Sequence, residues 1–128
     1  MQRLHYIIIM LMRHPDCADF LHPIDEVKQD VPGYANVIKK PMDFQTICNH
    51  LMDGWYFSEE KEEGTSRGCG IKGVIEDILL IYTNCRLYHG SDSTMYRYCQ
   101  KLASLTEALV KQWVCYSIIV YYLDCSFR

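Results

Sequence analysis

The placement of proline constrains this chain more than any other feature of its sequence. All four prolines fall in one stretch of the 128 residues, as Pro15, Pro23, Pro32 and Pro41. Because proline lacks a backbone N–H and fixes φ, residues 14–41 can form neither one helix nor a central β-strand. A connection of this length without regular structure is uncommon in a compact domain and is usually functional. It is too apolar for a solvated linker, so we expect it to pack on the protein through Phe20, Ile24, Val27, Val31, Tyr34, Val37 and Ile38.

Apolar residues recur at helical spacing on both sides of this stretch. The first stripe covers residues 4–11, and the second follows Asp43, whose side chain suits an N-cap, and ends near Gly54. Two further stripes, over residues 75–85 and 95–113, are separated by turn residues at positions 90–93. Four helical patterns with no strand pattern between them predict an all-α fold, an up-and-down four-helix bundle with a long loop after the first helix.

Two segments fall outside this helical pattern. Residues 58–70, SEEKEEGTSRGCG, lack apolar periodicity and predict an exposed insertion between the second and third helices. Residues 114–123, VCYSIIVYYL, are apolar and suit either the end of a long helix or a short extended segment. We therefore expect a bundle over residues 1–113 and an apolar C-terminal extension over residues 114–128. Such an apolar segment must pack on its own bundle, meet a partner or mediate self-association.

Composition limits the classes of function. Apolar residues make up 49% of the chain and charged residues 23%, as in one globular domain with a packed core. The net charge is −3 and no block of basic residues occurs, so direct nucleic-acid binding is disfavoured and a basic peptide is the better partner. No apolar run reaches the length that spans a bilayer, so no membrane association is expected. The seven cysteines form no CxxC pair, which favours reduced thiols.

Two strings carry a resemblance to a known family. They are PIDEVKQDVPGYANVIKKPMDFQTICNHLMDGWY, residues 23–56, and EDILLIYTNCRLYH, residues 76–89. Together they resemble the long first loop, second helix and third helix of a bromodomain, and the register extends over about residues 20–113 apart from the insertion. The combination of PGY, PMD and NC at these separations is specific. The resemblance implies a left-handed four-helix bundle that binds N-acetyl-lysine, mostly in histone tails, between the first loop and the loop joining the last two helices.

The chemistry of the ligand explains the residue types that such a site needs. Acetylation removes the lysine charge and leaves an apolar stem ending in a small amide, so a reader requires an apolar shaft with few polar groups at its floor. By the resemblance, the shaft is lined by Phe20, Ile24, Val27 and Val31, and Met95 is the gatekeeper. Tyr34 would order a floor water that bridges to the acetyl carbonyl, Tyr88 would wall the pocket, and His89 would address the carbonyl.

His89 is the main departure from the family pattern, because most bromodomains carry an asparagine amide donor at this position. A neutral imidazole donates from one nitrogen and accepts at the other, so His89 either preserves the contact with altered geometry or leaves the pocket non-functional. Asn84 matches a different family asparagine, whose role is structural. The resemblance thus implies a nuclear, non-catalytic histone reader in chromatin and transcription regulation, without a cofactor. The alternative is a degenerate bromodomain that serves as an interaction or dimerisation scaffold.

Two other classes of function compete with this interpretation. A mixed metal site would draw on His14, Cys17, His22, Cys48 and His50, but their spacing matches no zinc pattern. An enzyme would need a catalytic motif, and the chain has no GxSxG, HExxH or Walker loop. Cys85 and His89 have the spacing of a thiol and base, but Cys85 lies on the apolar stripe of its helix. We therefore expect neither a metal site nor catalytic residues.

Overall fold

Four helices form the body of the protein. The computed structural model describes the backbone of residues 2–126 and the side chains of residues 3–113. The helices are α1 (Gln2–Arg13), α2 (Phe44–Met52), α3 (Gly70–His89) and α4 (Thr94–Ser126). Short 3₁₀ helices at Pro15–Phe20 and Trp55–Phe57 and a single helical turn at Tyr34–Val37 lie between them. Residues 2–126 contain no strand, so the all-α prediction is confirmed.

The helices pack as a closed ring around one core. Helix α1 contacts α2 and α4, and α3 contacts the same two helices. Each contributes side chains that are at most 1% exposed, among them Leu11, Phe44, Ile78 and Leu102. Helix α2 begins as predicted, because the Asp43 carboxylate accepts a hydrogen bond of 3.0 Å from the Thr46 amide.

The predicted apolar stripe of α3 is only partly correct. Ile78, Tyr82 and Cys85 are buried, but Leu79 is 47% exposed. The buried face also includes Val74 and Ile81, which precede Ile78 and Cys85 by one helical turn. Leu79 lies on the neighbouring face, where no other element covers it.

The long first loop packs against the bundle, as predicted, but not through Val27 and Val37, which are 89% and 51% exposed. Phe20 joins the main core, while Val31, Tyr34 and Ile38 form a second buried cluster. Three hydrogen bonds fix the loop to the helices. The Gln45 amide donates to the Leu21 carbonyl at 2.9 Å, the Asn84 side chain to the Lys40 carbonyl at 2.7 Å, and the Tyr88 hydroxyl to the Pro32 carbonyl at 2.8 Å.

The prediction of an exposed insertion is wrong at Ser66. Ser66 is buried, and its hydroxyl donates to the Asp77 carboxylate on α3 at 2.7 Å. The same carboxylate oxygen accepts from the Tyr56 hydroxyl, also at 2.7 Å. Gly68 has a φ of +72°, and a Cβ there would lie 2.9 Å from the carbonyl oxygens of Ser58 and Glu60. This segment is therefore closely packed at both Ser66 and Gly68, although its acidic residues, Glu59, Glu60, Glu62 and Glu63, are exposed.

Helix α4 continues through Trp113 without a break and ends at Ser126. Of the two conformations that the sequence allowed for residues 114–123, the backbone is helical. The side chains of residues 114–128 lie outside the described part, so the domain boundary at residue 113 and the expected self-association stay predictions. Within the described residues, no helix combines the length and apolarity that a membrane span requires.

Candidate functional site

A cavity of about 340 Å³ opens between the first loop and the adjoining ends of α3 and α4. Its volume is at the lower end of the range for small-molecule sites, which suits one side chain rather than a large ligand. The lining residues are Asp19, Phe20, His22, Ile24, Lys28, Gln29, Asp30, Val31, Tyr34, Met42, Ile81, Cys85, His89 and Met95.

Most of the residues assigned to the site from the sequence meet at this cavity. Six of the eight line it, namely Phe20, Ile24, Val31, Tyr34, His89 and Met95. Val27 does not, since its side chain is 89% exposed on the turn of residues 26–30. Tyr88 also stands outside the lining. Its ring packs 5.2 Å from that of Tyr34, so it supports a cavity residue from behind.

Tyr34 is held at the cavity by the single helical turn of the first loop. Its side chain is 8% exposed, and among the described residues its hydroxyl has no hydrogen-bond partner. Burial raises the pKa of this phenol, with smaller contributions from the nearby thiols of Cys85 and Cys99. Tyr34 therefore stays protonated and offers the cavity an uncommitted hydroxyl, which both donates and accepts.

His89 is the last residue of α3, and its half-buried imidazole faces the same cavity. The Tyr88 ring meets it edge-on, with centroids 4.9 Å apart and planes at 80°. Burial lowers the pKa of His89 below the ordinary value of 6.5, and the negative charge of Asp19 opposes this shift. The neutral imidazole is thus favoured at neutral pH, with one donor and one acceptor nitrogen, and neither makes a hydrogen bond to the described residues.

The sequence interpretation missed three apolar or weakly polar parts of the lining, Met42, Ile81 and Cys85. Cys85 was assigned only to the helix core, yet it precedes His89 by four residues. Residues at this spacing share a helix face, so the position of His89 was the signal for it. Ile81 is a further four residues back on the same face.

The rim of the cavity is polar, and the Gln29 side chain forms hydrogen bonds to two segments of the rim. The Gln29 amide group donates to the Asp19 carbonyl at 3.2 Å and accepts from the Asp25 amide at 2.9 Å. These bonds join the first 3₁₀ helix to the turn of residues 25–30. Gln29 therefore fixes the loop geometry, while the side chains of Asp19 and Asp30 line the mouth.

The residues of the alternative metal site do not form a ligand set. Across the described residues, no group of three His, Cys, Asp or Glu side chains is arranged to hold a metal ion. His50 instead stacks on Trp55 with centroids 4.4 Å apart, and the Cys48 thiol contacts the Met12 sulfur at 3.5 Å. Both pairs contribute to packing around α2.

Comparison with known proteins agrees with this architecture. The sequence model of the bromodomain family matches residues 5–101. A bromodomain-containing protein of Schizosaccharomyces pombe is 30% identical over 109 residues, which cover 85% of this chain. The bromodomain subunit bdf1 of the SWR1 complex from the same yeast is 31% identical over 106 residues, or 83% of this chain. The transcription factor GTE11 of Arabidopsis thaliana is 29% identical over 107 residues, or 84% of this chain.

The matched regions are small parts of these relatives. They amount to 13%, 16% and 15% of the three proteins, respectively. The similarity therefore concerns one module, and it extends over α1, the long first loop, α2, α3 and the start of α4. This chain belongs to the bromodomain family.

Proposed function

We propose that this chain is a non-catalytic reader module that binds N-acetyl-lysine in histone tails or other protein tails. One observation carries the proposal. Inside its polar rim, the cavity presents the Tyr34 hydroxyl and the His89 imidazole beside the apolar side chains of Phe20, Ile24 and Val31, and neither group has a hydrogen-bond partner within residues 3–113. Both groups are therefore available to a ligand, and the arrangement favours one with an apolar stem and a small polar end.

The apolar walls provide more of the expected affinity than the polar floor. Burying the four methylenes of a lysine stem contributes about 3 kcal/mol at about 0.8 kcal/mol each. One hydrogen bond to the acetyl carbonyl adds about 0.5 to 1.5 kcal/mol. Histidine in place of asparagine at position 89 therefore changes the affinity for the peptide, but the burial of the lysine stem, which is the main source of that affinity, is retained. Unmodified lysine is disfavoured because its ammonium group would have to be buried.

The charge of the module suits a basic peptide. The net charge is −3, and Asp19 and Asp30 line the cavity mouth. Histone tails are basic, so attraction over the surface would favour their approach. Two relatives are a SWR1 complex subunit and a transcription factor. That similarity supports the proposal that this module acts in the nucleus, in chromatin-associated transcription regulation, and we propose no direct contact to nucleic acid or membrane.

Titration with acetylated and unmodified histone peptides tests this function. The acetylated peptides should bind and the unmodified peptides of identical sequence should not, as measured by calorimetry or fluorescence anisotropy. His89→Asn should strengthen binding by about twofold to tenfold, since an amide donor is restored at the cavity floor. Leu87→Asn, a change at an exposed position of the same helix, is the matched control and should leave affinity unchanged.

A second candidate function is a scaffold that no longer reads acetyl-lysine. Two features favour it, the imidazole at the asparagine position and the apolar run of residues 114–123. If neither the natural chain nor His89→Asn binds acetylated peptide, the reader function is wrong. A dimer that becomes monomeric on truncation after Trp113 would then support self-association through residues 114–123. A lower melting temperature at unchanged mass would indicate packing on the chain's own bundle.

A further inference from the structure

Three cysteine thiols lie buried beneath the cavity. Cys17 and Cys99 are 0% exposed, and Cys85 is 3% exposed. All three are free thiols. Cys85 also lines the cavity, whereas Cys17 and Cys99 do not, so Cys85 is the thiol nearest to a small molecule that enters it. The proposed function uses none of these thiols.

Cys85 and Cys99 face each other across the α3–α4 pair. The Tyr82 hydroxyl and the Thr106 hydroxyl are hydrogen-bonded at 3.0 Å, which shows that the faces of α3 and α4 bearing these residues pack together. Cys85 lies one turn from Tyr82 toward the connecting loop, and Cys99 lies two turns from Thr106 in the same direction. The long tyrosine side chain accounts for the difference in height, so the two cysteines lie at one level of the helix pair.

The two thiols differ in reactivity. The Cys85 and Cys99 side chains interact, and this interaction lowers the pKa of Cys85 although burial opposes the shift. The pKa of Cys99 is raised by the same interaction and by burial. Burial also raises the pKa of Cys17, to about 12. Since the thiolate is the nucleophile, the lowered pKa favours Cys85 as the attacking group, and the raised pKa of Cys17 disfavours its reaction.

We infer that Cys85 and Cys99 form a peroxide-sensitive thiol pair whose disulfide ties α3 to α4 beneath the cavity. The Cys85 thiolate attacks one oxygen of hydrogen peroxide, which forms an S–O bond, breaks the O–O bond and releases hydroxide. The Cys99 thiol then attacks the sulfenic acid sulfur, which forms the S–S bond and releases water. Overall the two thiols lose two electrons and two protons, and the peroxide is reduced to two molecules of water.

The disulfide changes the cavity because it moves the Cys85 sulfur. An S–S bond holds the two sulfurs about 2.05 Å apart, well inside the contact distance of two unbonded thiols. Its formation turns the Cys85 sulfur away from the cavity and toward α4. Both thiols lie near the Tyr34 hydroxyl, so the floor shifts with them. The expected result is about tenfold weaker binding of acetylated peptide. This effect rests on the proposed function, whereas the cross-link itself does not.

Peptide mapping after treatment with hydrogen peroxide tests the pair. Tryptic cleavage places Cys85 and Cys99 in separate peptides, residues 73–86 and 98–101, each with one cysteine. Oxidised full-length chain should yield these two peptides joined in the absence of reductant, and separate after dithiothreitol. Cys17 should remain available for alkylation after denaturation. Cys85→Ser and Cys99→Ser should each remove the joined peptide, with circular dichroism to verify that both variants are folded.

Each outcome decides a different claim. If peroxide oxidises the exposed Cys69 but never joins residues 73–86 to 98–101, the thiol pair is wrong, whatever the chain binds. If the joined peptide forms and oxidation leaves peptide affinity unchanged, the coupling to the cavity is wrong. If the joined peptide forms but the reduced chain binds no acetylated peptide, the thiol pair stands and the reader function fails.

Discussion

The first loop and the insertion are both irregular segments, but different interactions hold them in place. The first loop, residues 14–41, is anchored by apolar side chains, with Val31, Tyr34 and Ile38 buried in one cluster. The insertion, residues 58–70, is anchored by hydrogen bonds, with the Ser66 and Tyr56 hydroxyls both donating to Asp77. The acidic residues in the first half of the insertion are exposed.

This difference explains why the sequence reveals one anchor and hides the other. Several apolar residues in a proline-rich segment indicate burial by their number alone. A single serine in an acidic, glycine-containing segment carries no such signal. Its burial depends on a carboxylate in another helix, and the partner of a buried polar group cannot be identified from spacing along the chain.

The largest expected effect is the loss of the apolar anchor. Ile38→Ala should lower the free energy of unfolding by about 3 kcal/mol, since it removes a side chain that is 3% exposed and leaves a cavity. Val37→Ala, at the adjacent position that is 51% exposed, is the control and should stay within about 0.5 kcal/mol of the natural chain. Urea unfolding measures both. Equal effects at the two positions would show that burial of Ile38 does not anchor the loop.

Loss of the polar anchor should be slightly less costly. Asp77→Ala removes the acceptor of two hydroxyl groups and leaves the fully buried Tyr56 hydroxyl unpaired, which should cost about 2 to 3 kcal/mol. Hydrogen exchange should increase over residues 58–70 and remain low in the first loop. Glu76→Ala, at a more exposed carboxylate beside it, is the matched control. If Asp77→Ala is as stable as this control, the hydrogen bonds do not anchor the insertion.

Much of the fold followed from the sequence, whereas side-chain direction within the loops did not. The helices, the Asp43 N-cap and the packing of the first loop all follow from periodicity and residue type. Val27 was expected in the cavity, but the Asp25 carboxylate accepts from its amide, and Asp30 has a φ of +51°. This turn directs Val27 into solvent. The conformation of the turn decides whether such a side chain points into the cavity or into solvent, and its apolar character alone does not predict which.

The junction between the first loop and α3 gives a smaller effect. Asn84→Ala should lower the free energy of unfolding by about 1 to 2 kcal/mol, because the hydrogen bond of 2.7 Å from the buried Asn84 side chain to the Lys40 carbonyl is lost. The change should loosen the end of the first loop and leave the insertion as it is. Thr83→Ala, an exposed change on the same helix, is the control, with hydrogen exchange as the local measurement. If hydrogen exchange increases in residues 58–70 instead, the first loop and the insertion open together, and the two regions are not held independently.

The smallest expected effect is on the pH dependence of folding stability, and it comes from the titration of His89 beside the first loop. Burial lowers the pKa of His89 in the folded chain below 6.5, the ordinary value that applies when the chain is unfolded. As the pH falls below 6.5, the unfolded chain therefore takes up the proton more readily than the folded chain, and folded stability decreases. Well above pH 6.5 both forms are neutral at this position and the contribution is fully retained. His89→Asn removes this titration, so its melting temperature should fall less than that of the natural chain as the solution is acidified.

The difference should be small because the imidazole is half-exposed and Asp19 opposes the shift. If the melting temperatures of the two proteins change by the same amount between pH values above and below 6.5, the cavity does not favour the neutral imidazole.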